Sequence, residues 1–458
     1  MSDKKALSLF SLVMINVVAI DNLKSLTFGA QFGLSLVSYY VLAAVLFFIP
    51  VALVSAECAT GWPSKGGIYV WVREALGKRW AFFVIWIMWI YNVVWYPSQM
   101  IYITAMFWQW LDPTWLEHPA RVFLFSSALF FFCTFLNRFG MRFSGLVSAS
   151  GAVLGTLLPL SVVIMCGAYW LITGKGSHID FTLQNMIPSS QQNNILPFLV
   201  PIIFGLIGIE MSAIHANDVD DPQKTYPRAI FISTVVIIST MLLASLSIAI
   251  VLPQQQVNII SGIVMFFDFV LVELDLNFLK PVFVFLVLWG GIANIATWII
   301  GPSKGMMVAA QDGVIPAWFA KTNQHDVPER ILWVQYLMVV VLGFGILIYP
   351  LEIIYSMLNA ITTQLALVIY VLMFISVWVL RRLFPNKATY QVPGGKRGLL
   401  TVCVTGSAVS ILVIFLGFMA PGILEITKEQ HYTLILCLGV MIFTAIPFLL
   451  TRNSNEST

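Results

Sequence analysis

Apolar runs long enough to cross a lipid bilayer recur along almost the whole chain. A membrane-spanning helix needs about 20 mostly apolar residues. Of the 458 residues, 59% are hydrophobic and only 10% are charged, which is not the balance of a soluble domain. We therefore predict an all-α membrane protein of twelve transmembrane helices, near residues 7–33, 37–58, 80–111, 121–137, 144–173, 195–217, 227–252, 277–300, 331–349, 352–380, 399–420 and 432–451.

The basic residues predict how these spans are oriented. Nineteen of the 24 Lys and Arg residues fall in loops on the side of the N terminus. Four (Arg121, Lys175, Lys280 and Lys428) fall in the opposite loops, and Lys24 lies inside the first span. Cytoplasmic loops carry the excess of Lys and Arg. We therefore expect a multi-pass protein of the cell (inner) membrane with both termini in the cytoplasm.

Several classes of function find no support in the sequence. The net charge of +3 is too small to indicate a nucleic-acid partner, and no HExxH, GxSxG or P-loop motif is present. We predict that the protein is not an enzyme and has no cofactor and no metal site. The five cysteines fall in or beside apolar runs without CxxC spacing, which is typical of buried packing residues: Cys58, Cys133, Cys166, Cys403 and Cys437.

Polar residues interrupt the first span near its middle. The stretch reads IDNLKS from Ile20 to Ser25, and the residues before it are almost wholly apolar. Backbone groups freed by a break in a membrane helix need new partners, so a break persists only beside a polar cavity or against other protein. The stretch therefore predicts an unwound segment that contacts a polar guest molecule.

The sixth span is interrupted in a similar way. It reads ILPFLVPIIFGLIGIEMSAIHANDVDDP and carries Gly205, Gly208 and Glu210 near its centre. Glycine relieves the steric cost of leaving helical dihedral angles. Paired breaks of this kind indicate the binding site of a secondary transporter, where half-helix ends supply N–H groups for a carboxylate and carbonyls for an ammonium group.

Two predicted loops and one aromatic stretch are further features of the sequence. Residues 64–77 and 301–316 are predicted to be cytoplasmic loops after spans 2 and 8. The third span contains the stretch WIMWIYNVVWYPSQMIYITAMFWQW over residues 86–110. Most of its rings are expected to belong to an interfacial aromatic belt.

Four long motifs make the chain resemble a known superfamily. They are FFIPVALVSAECATGWPSKGGIYVWVREALGKRWAF (47–82), GIEMSAIHANDVDDPQKTYPRAI (208–230), ATWIIGPSKGMMVAAQDGVIPAWFAK (296–321) and YQVPGGKRG (390–398). With these motifs the chain resembles the amino acid–polyamine–organocation superfamily, and within it the glutamate/GABA antiporter family. The resemblance covers nearly the whole chain.

The resemblance implies a fold and an activity. The implied fold is a LeuT-like 5+5 inverted repeat plus two extra helices, with helices 1 and 6 broken. The implied domains are a transport core (1–380, spans 1–5 and 6–10), two accessory spans (381–451) and a short disordered cytoplasmic tail (452–458). The implied activity is alternating-access transport of amino acids or their decarboxylation products, usually by exchange.

The resemblance also assigns roles to individual residues. Glu210 matches the glutamate of a GxE motif tied to proton response or gating. Phe204 falls on an aromatic that closes over substrate in a related arginine/agmatine antiporter. Trp298 falls on a tryptophan that lines the path, and Tyr370 falls on one of two tyrosines of the glutamate/GABA exchanger.

Departures from the family pattern lie in the same places. Asp21 replaces a tyrosine, Lys24 stands where a nearby proline is found, Asn294 replaces an acidic residue, and Ala366 replaces the second tyrosine. The long C-terminal plug of the glutamate exchanger is not found in this sequence, which ends at Thr458. Neither the substrate nor acid-only activity is therefore carried over from the family.

The buried charges leave alternatives open. Asp21 and Lys24 either neutralise each other in an ion pair or face the substrate, where Asp21 favours an amine and Lys24 a second carboxylate. Glu210 is either a protonation switch or a structural carboxyl. His215 is expected to be a helix-end packing group, and Glu57 is expected to pair with a loop cation. Phe204 and Trp298 are either core rings or binding-site rings.

We predict a secondary active transporter of amino acids or related amines that works by exchange. Proton-coupled uptake is the nearest alternative, and a channel or a substrate sensor on the same fold is less favoured. The expected partners are a small-molecule amino acid or amine and the lipid bilayer, with proton coupling left open, and the protein is expected to be a monomer or a homodimer. The candidate substrate-binding residues are Ile20, Asp21, Asn22, Lys24, Ser25, Phe204, Gly205, Gly208, Asn294, Trp298 and Tyr370, and the candidate proton or gating residues are Glu210 and Phe204.

Overall fold

The computed structural model describes residues 8–63, 66–139, 147–188, 199–219, 221–420 and 429–452. Across these ranges the regular structure is helical. Most of the predicted C-terminal tail lies outside the described residues, as does the side chain of His215. The helices are α1 (Leu9–Ile20), α2 (Leu23–Ala30), α3 (Gly33–Gly61), α4 (Ile68–Leu76), α5 (Lys78–Leu111), α6 (Pro119–Asn137), α7 (Val147–Ile172), α8 (Leu199–Phe204), α9 (Pro222–Val251), α10 (Gly262–Glu273), α11 (Lys280–Gln311), α12 (Glu329–Gly343), α13 (Leu351–Leu383), α14 (Gly395–Leu416) and α15 (Glu429–Arg452).

The helices confirm the predicted fold class. Within the described residues, ten helices are long and apolar enough to cross a membrane, and α1 and α2 form a further pair bent by 43° at a short break. The sixth predicted span is divided between α8 and the 3₁₀ segment Ile209–Asp218. Both interruptions are thus present where the sequence placed them. The count of twelve spans and the inverted repeat remain predictions.

Two stretches predicted as loops contain helices instead. The stretch 301–316 was wrongly assigned to a loop, because α11 continues through Pro302 as far as Gln311. Proline removes the N–H that would bond the carbonyl four residues earlier. That carbonyl, on Trp298, instead accepts a hydrogen bond from the Tyr96 hydroxyl at 2.9 Å. The other stretch, 64–77, contains the amphipathic helix α4.

The aromatic rings of α5 are mostly buried in protein, so the expected interfacial belt is wrong for most of them. Trp86, Trp89, Tyr91, Tyr96 and Tyr102 are all buried. The indole N–H of Trp89 donates to Gln335 Oε1 at 3.0 Å, and the indole N–H of Trp86 donates to the carbonyl of Phe443 at 3.0 Å. The rings near its two ends, Trp80 at one end and Phe107, Trp108 and Trp110 at the other, are exposed or partly exposed, as is Trp95 in part.

Small residues let α7 and α11 approach each other closely. A β-carbon built on Gly290 would lie 2.2 Å from the carbonyl oxygen of Gly155, and one built on Gly155 would lie 2.2 Å from the Gly290 nitrogen. Helix pairs in membranes commonly associate through small residues, because van der Waals contact replaces the missing hydrophobic effect. The backbone contact between these helices therefore leaves no room for a side chain.

A buried ion pair joins the ends of α3 and α13. The Arg381 guanidinium binds both carboxylate oxygens of Glu57, and both side chains are less than a tenth exposed. The backbone N–H of Val392 donates to the same carboxylate at 2.9 Å, and Arg381 Nη1 donates to the carbonyl of Gly395 at 3.1 Å. Glu57 therefore pairs with a cation, but that cation lies in the last turn of α13 and not in a loop as predicted. The pair anchors the motif at 390–398.

We predict that Gly290→Ala destabilises the protein by about 1–3 kcal/mol, because the backbone of α7 must move to admit the methyl group. The measurement is thermal unfolding of the purified protein in detergent, where the unfolding temperature should fall. Gly301→Ala on the same helix is the matched control, since no atom lies within 4 Å of its β-carbon position. Equal unfolding temperatures for the two variants would contradict the close packing.

Candidate functional site

The break in the first span is built by its own polar residues. Helix α1 ends at Ile20, and Asp21 and Asn22 both have extended backbone conformations. The Asn22 side-chain oxygen accepts from the Ser25 N–H and the Ser25 hydroxyl, each at 2.8 Å, so that it caps the next helical turn. The Asn22 amide donates to the carbonyl of Ile20 at 2.9 Å. One side chain thus satisfies both ends of the break.

The second break depends on a glycine and a tyrosine. Helix α8 ends at Phe204, and Gly208 has φ of 123°, a conformation that side chains rarely allow. The Gly208 N–H donates to the Tyr370 hydroxyl at 2.9 Å, and that hydroxyl donates to Glu210 Oε2 at 2.7 Å. Helix α13 therefore holds the unwound segment in place.

The two breaks contact each other. A β-carbon built on Gly205 would lie 3.3 Å from the side chain of Ser25, and one built on Gly208 would lie 3.6 Å from Ile20 Cγ1 and 3.9 Å from the Trp298 ring. The absence of side chains at both glycines allows the broken spans to approach closely. Their contact forms one wall of an internal cavity.

The cavity has a volume of about 60 Å³, enough for a few water molecules. It is bounded by both breaks, by α5, by α11 and by α13. A second cavity of about 20 Å³ shares Asn22, Lys24, Gln99 and Asn294 with it. The larger cavity is lined by Ala19, Ile20, Asn22, Lys24, Asn92, Trp95, Gln99, Phe204, Ile207, Asn294, Trp298 and Thr362.

Lys24 carries the charge of this cavity. Its side chain is 3% exposed, and Nζ donates to Ser98 Oγ at 2.8 Å and to Asn359 Oδ1 at 2.9 Å. Three rings lie near the ammonium group, with centroids 5.7 Å away for Trp95, 5.6 Å for Phe204 and 4.9 Å for Tyr355. Neutral acceptors and ring faces stabilise a cation. No carboxylate among the described residues pairs with Lys24.

Asp21 points away from the cavity. Its side chain is fully buried, and its Oδ2 lies 2.9 Å from the Thr240 hydroxyl of α9. The ion pair with Lys24, one of the two alternatives from the sequence, is therefore not formed. The reason is that Asp21 and Asn22 are extended, so residues three apart in sequence do not share a helical face here.

The predicted site residues divide into two groups. Ile20, Asn22, Lys24, Phe204, Asn294 and Trp298 line the cavity. Asp21, Ser25, Gly205, Gly208 and Tyr370 are absent from its lining, as is the predicted gating residue Glu210. Ser25, Gly205, Gly208 and Tyr370 instead build the two breaks, and Tyr370 and Glu210 are bonded to each other.

Sequence reasoning missed the contribution of α5. Asn92, Trp95 and Gln99 line the cavity, and their spacing of three, four and seven residues places them on one helical face. Asn92 and Gln99, two amide side chains on one face of a mostly apolar span, could have indicated from the sequence that this face lines a polar cavity. The assignment of the rings to an interfacial belt obscured it. Thr362 also lines the cavity, although its hydroxyl donates to the carbonyl of Leu358 in its own helix at 2.7 Å.

Comparisons with known proteins identify the family of this chain. The model of the amino acid permease family matches residues 6–443. The chain belongs to the amino acid permease family. It is a multi-pass membrane protein and a transporter, not an enzyme, and the resemblance stated from the motifs is confirmed.

Three relatives illustrate the similarity. An uncharacterized transporter of Legionella pneumophila is 39% identical, over 99% of this chain and 98% of that protein. A glutamate/gamma-aminobutyrate antiporter of Lactococcus lactis is 28% identical, over 98% of this chain and 90% of that protein. A probable agmatine/putrescine antiporter of Lactococcus lactis is 24% identical, over 98% of this chain and 95% of that protein. The similarity in each case spans both breaks.

We predict that Tyr370→Phe destabilises the second break, because it leaves the Gly208 N–H and the Glu210 carboxylate without their shared partner. The expected loss of stability is about 1–3 kcal/mol, seen as a lower unfolding temperature. Tyr102→Phe is the control, since the buried Tyr102 hydroxyl has no partner among the described residues. A fall of equal size in the control would contradict the assigned role of Tyr370.

Proposed function

We propose that this protein exchanges amino acids across the cell membrane by alternating access, with the cavity between the two breaks as its substrate site. The observation that carries the proposal is the contact of two broken helices beside a cavity lined by the Lys24 amino group, which has no carboxylate partner among the described residues. A continuous pore would instead require a polar stripe from one membrane face to the other. We also propose, from the distribution of Lys and Arg, that both termini lie in the cytoplasm.

The charge of Lys24 favours a substrate with a carboxylate beyond the one every amino acid carries. The break N–H groups that were expected to bind a carboxylate are partly occupied, since the Ser25 N–H bonds Asn22 and the Gly208 N–H bonds Tyr370. Lys24 is then the basic donor at the cavity, beside the side-chain amides of Asn92, Gln99 and Asn294. The relative named for glutamate and γ-aminobutyrate suits this charge better than the relative named for agmatine and putrescine. We propose an acidic amino acid as one of the exchanged pair.

The architecture supports the proposed domains. Residues 1–380 would form the transport core, since both breaks and every lining residue of the cavity fall within it. Residues 381–451 would supply two accessory helices. In transporters with repeated halves, the site lies where broken helices from the two halves meet, which is the relation between Ser25 and Gly205 here.

Proton-coupled uptake is the second candidate, and buried carboxyl groups at both breaks favour it. Asp21 is fully buried and Glu210 is 6% exposed. Symport and exchange differ in what they require on the far side of the membrane. Uptake by symport proceeds into empty vesicles, whereas exchange needs an internal amino acid.

We predict that proteoliposomes loaded with unlabelled glutamate take up labelled glutamate at a rate that saturates with concentration. Empty vesicles should take up much less, because exchange requires a returning substrate. Equal uptake by empty vesicles under a proton gradient would favour symport. An ohmic current would indicate a channel, and binding without flux would indicate a sensor.

We predict that Lys24→Met weakens glutamate binding at least about tenfold, which corresponds to the loss of one charged hydrogen bond of about 1.5–3 kcal/mol. Binding is measured by the substrate-induced rise in unfolding temperature. Lys175→Met is the matched control, because that ammonium pairs with Glu273 far from the cavity. Unchanged glutamate binding in Lys24→Met would remove Lys24 from the substrate site.

A further inference from the structure

The Asp21 carboxyl group is buried without enough partners for a charge. None of its surface is exposed, and its Oδ1 has no hydrogen-bond partner among the described residues. Its Oδ2 has one side-chain hydrogen-bond partner among the described residues, the Thr240 hydroxyl. A buried carboxylate with one unpaired oxygen is costly in a low-dielectric interior.

Thr240 offers Asp21 one hydrogen bond at most. Its Oγ1 lies 2.9 Å from Asp21 Oδ2, and it also lies 2.8 Å from the carbonyl oxygen of Val236 and 3.1 Å from that of Ile237 in its own helix. A threonine hydroxyl has one hydrogen and shares it among these acceptors. With a proton on Asp21 Oδ2, the acid donates to Thr240, and the threonine hydrogen is free to bond within its own helix.

The surroundings of Asp21 supply no compensating positive charge. Asp21 caps the C-terminal end of α1, which carries partial negative charge. The titratable groups on the elements around it include Tyr40 of α3, Lys24 of α2, and Glu210 of the 3₁₀ segment that packs on α1. Lys24 is bonded to Ser98 and Asn359, and Glu210 to Tyr370. The neighbouring face of α9 presents hydroxyl groups, such as that of Thr240.

Glu210 differs from Asp21 in this respect. The Tyr370 hydroxyl donates its one hydrogen to Glu210 and accepts the Gly208 N–H. This chain of bonds is complete with an ionised Glu210. Glu210, which the sequence predicted as the proton-responsive group, therefore has its hydrogen bonds without a bound proton. Asp21, which the sequence predicted to bind substrate, has one oxygen without a partner among the described residues.

We propose that Asp21 is a proton-binding site of the transport cycle, separate from the substrate cavity and from the Glu210–Tyr370 contact. This proposal rests on the proposed transport function and identifies the proton as the coupling ion. Asp21 lies between Ile20 and Asn22, which both line the cavity, at the bend between α1 and α2. A change of the bend on substrate binding or release moves the Asp21 side chain relative to Thr240. Proton binding and amino acid binding are thereby coupled.

The test compares Asp21→Asn with the unchanged protein in proteoliposomes that contain a pH-sensitive dye. In the unchanged protein, exchange of external glutamate for a neutral internal amino acid should carry protons, whereas exchange of glutamate for glutamate returns each proton it brings in and should carry none. The dissociation constant should change by up to about tenfold per pH unit over the window in which one site titrates. In Asp21→Asn both effects should vanish while exchange at equal pH persists, because the asparagine amide donates to Thr240 as the acid would. Glu210→Gln is the rival variant and should retain the pH dependence.

Equal proton movement in Asp21→Asn and the unchanged protein would overturn the proposal, as would its loss in Glu210→Gln alone. Exchange of glutamate for a neutral amino acid by the unchanged protein without any proton movement would overturn the Asp21 proposal and leave the proposed function intact.

A second measurement needs no transport and covers a variant that fails to fold. The infrared carbonyl band of a protonated carboxyl, recorded on the unchanged protein without substrate, should disappear as the pH is raised. The spectra of Asp21→Asn and Thr240→Val assign the band: it should be lost in the first variant and shifted in the second. A band that neither substitution alters would also overturn the proposal, whatever the outcome for amino acid exchange.

Discussion

Every backbone N–H and carbonyl in a membrane span must find a partner within the protein, and the structure of this site follows from that constraint. Each interruption of a helix is repaired by a particular side chain. Asn22 caps both sides of the first break, the Tyr370 hydroxyl binds the N–H at the second, and the Tyr96 hydroxyl replaces the hydrogen bond lost at Pro302. The three repairs surround one cavity. Some polar groups near the cavity therefore serve to satisfy the backbone at the breaks. The polar groups without such a role are the candidates for binding substrate or a proton.

The left-over groups include one basic and one acidic side chain, Lys24 and Asp21, on opposite sides of the first break. The extended residues Asp21 and Asn22 send the Asp21 carboxyl towards α9, whereas Lys24 reaches α5 and α13. An ion pair would have neutralised both charges and left the cavity without an electrostatic preference. Their separation keeps an ammonium group beside the cavity and a carboxyl group behind its wall. In the transport cycle we propose, two ligands of opposite charge, a carboxylate and a proton, would then bind at separate places.

The two breaks could be predicted from the sequence because charged residues and clustered glycines are costly inside a lipid-facing helix and mark a site or a bend. Side-chain directions around the first break could not be predicted, because helical periodicity ends at Ile20 and resumes with a different phase at Leu23. The eighth span was also ended too early, since the hydroxyl that compensates for Pro302 comes from Tyr96, about 200 residues away in sequence. Long-range repairs of this kind have no local signal. The cavity face of α5 was readable from the spacing of Asn92 and Gln99 and was hidden by the surrounding rings.

The surroundings of Lys24 bear on why such a carrier would exchange rather than leak. The Lys24 amino group is held by Ser98, Asn359 and three aromatic rings, which tie α5, α8 and α13 to the first break. Any motion that separates these elements removes acceptors from a buried cation, which is costly unless another acceptor replaces them. A substrate carboxylate can do so, and water cannot do so as well in a small, ring-lined cavity. We therefore expect the return of the empty carrier to be slower than the return of the loaded one, which is the kinetic condition for obligatory exchange.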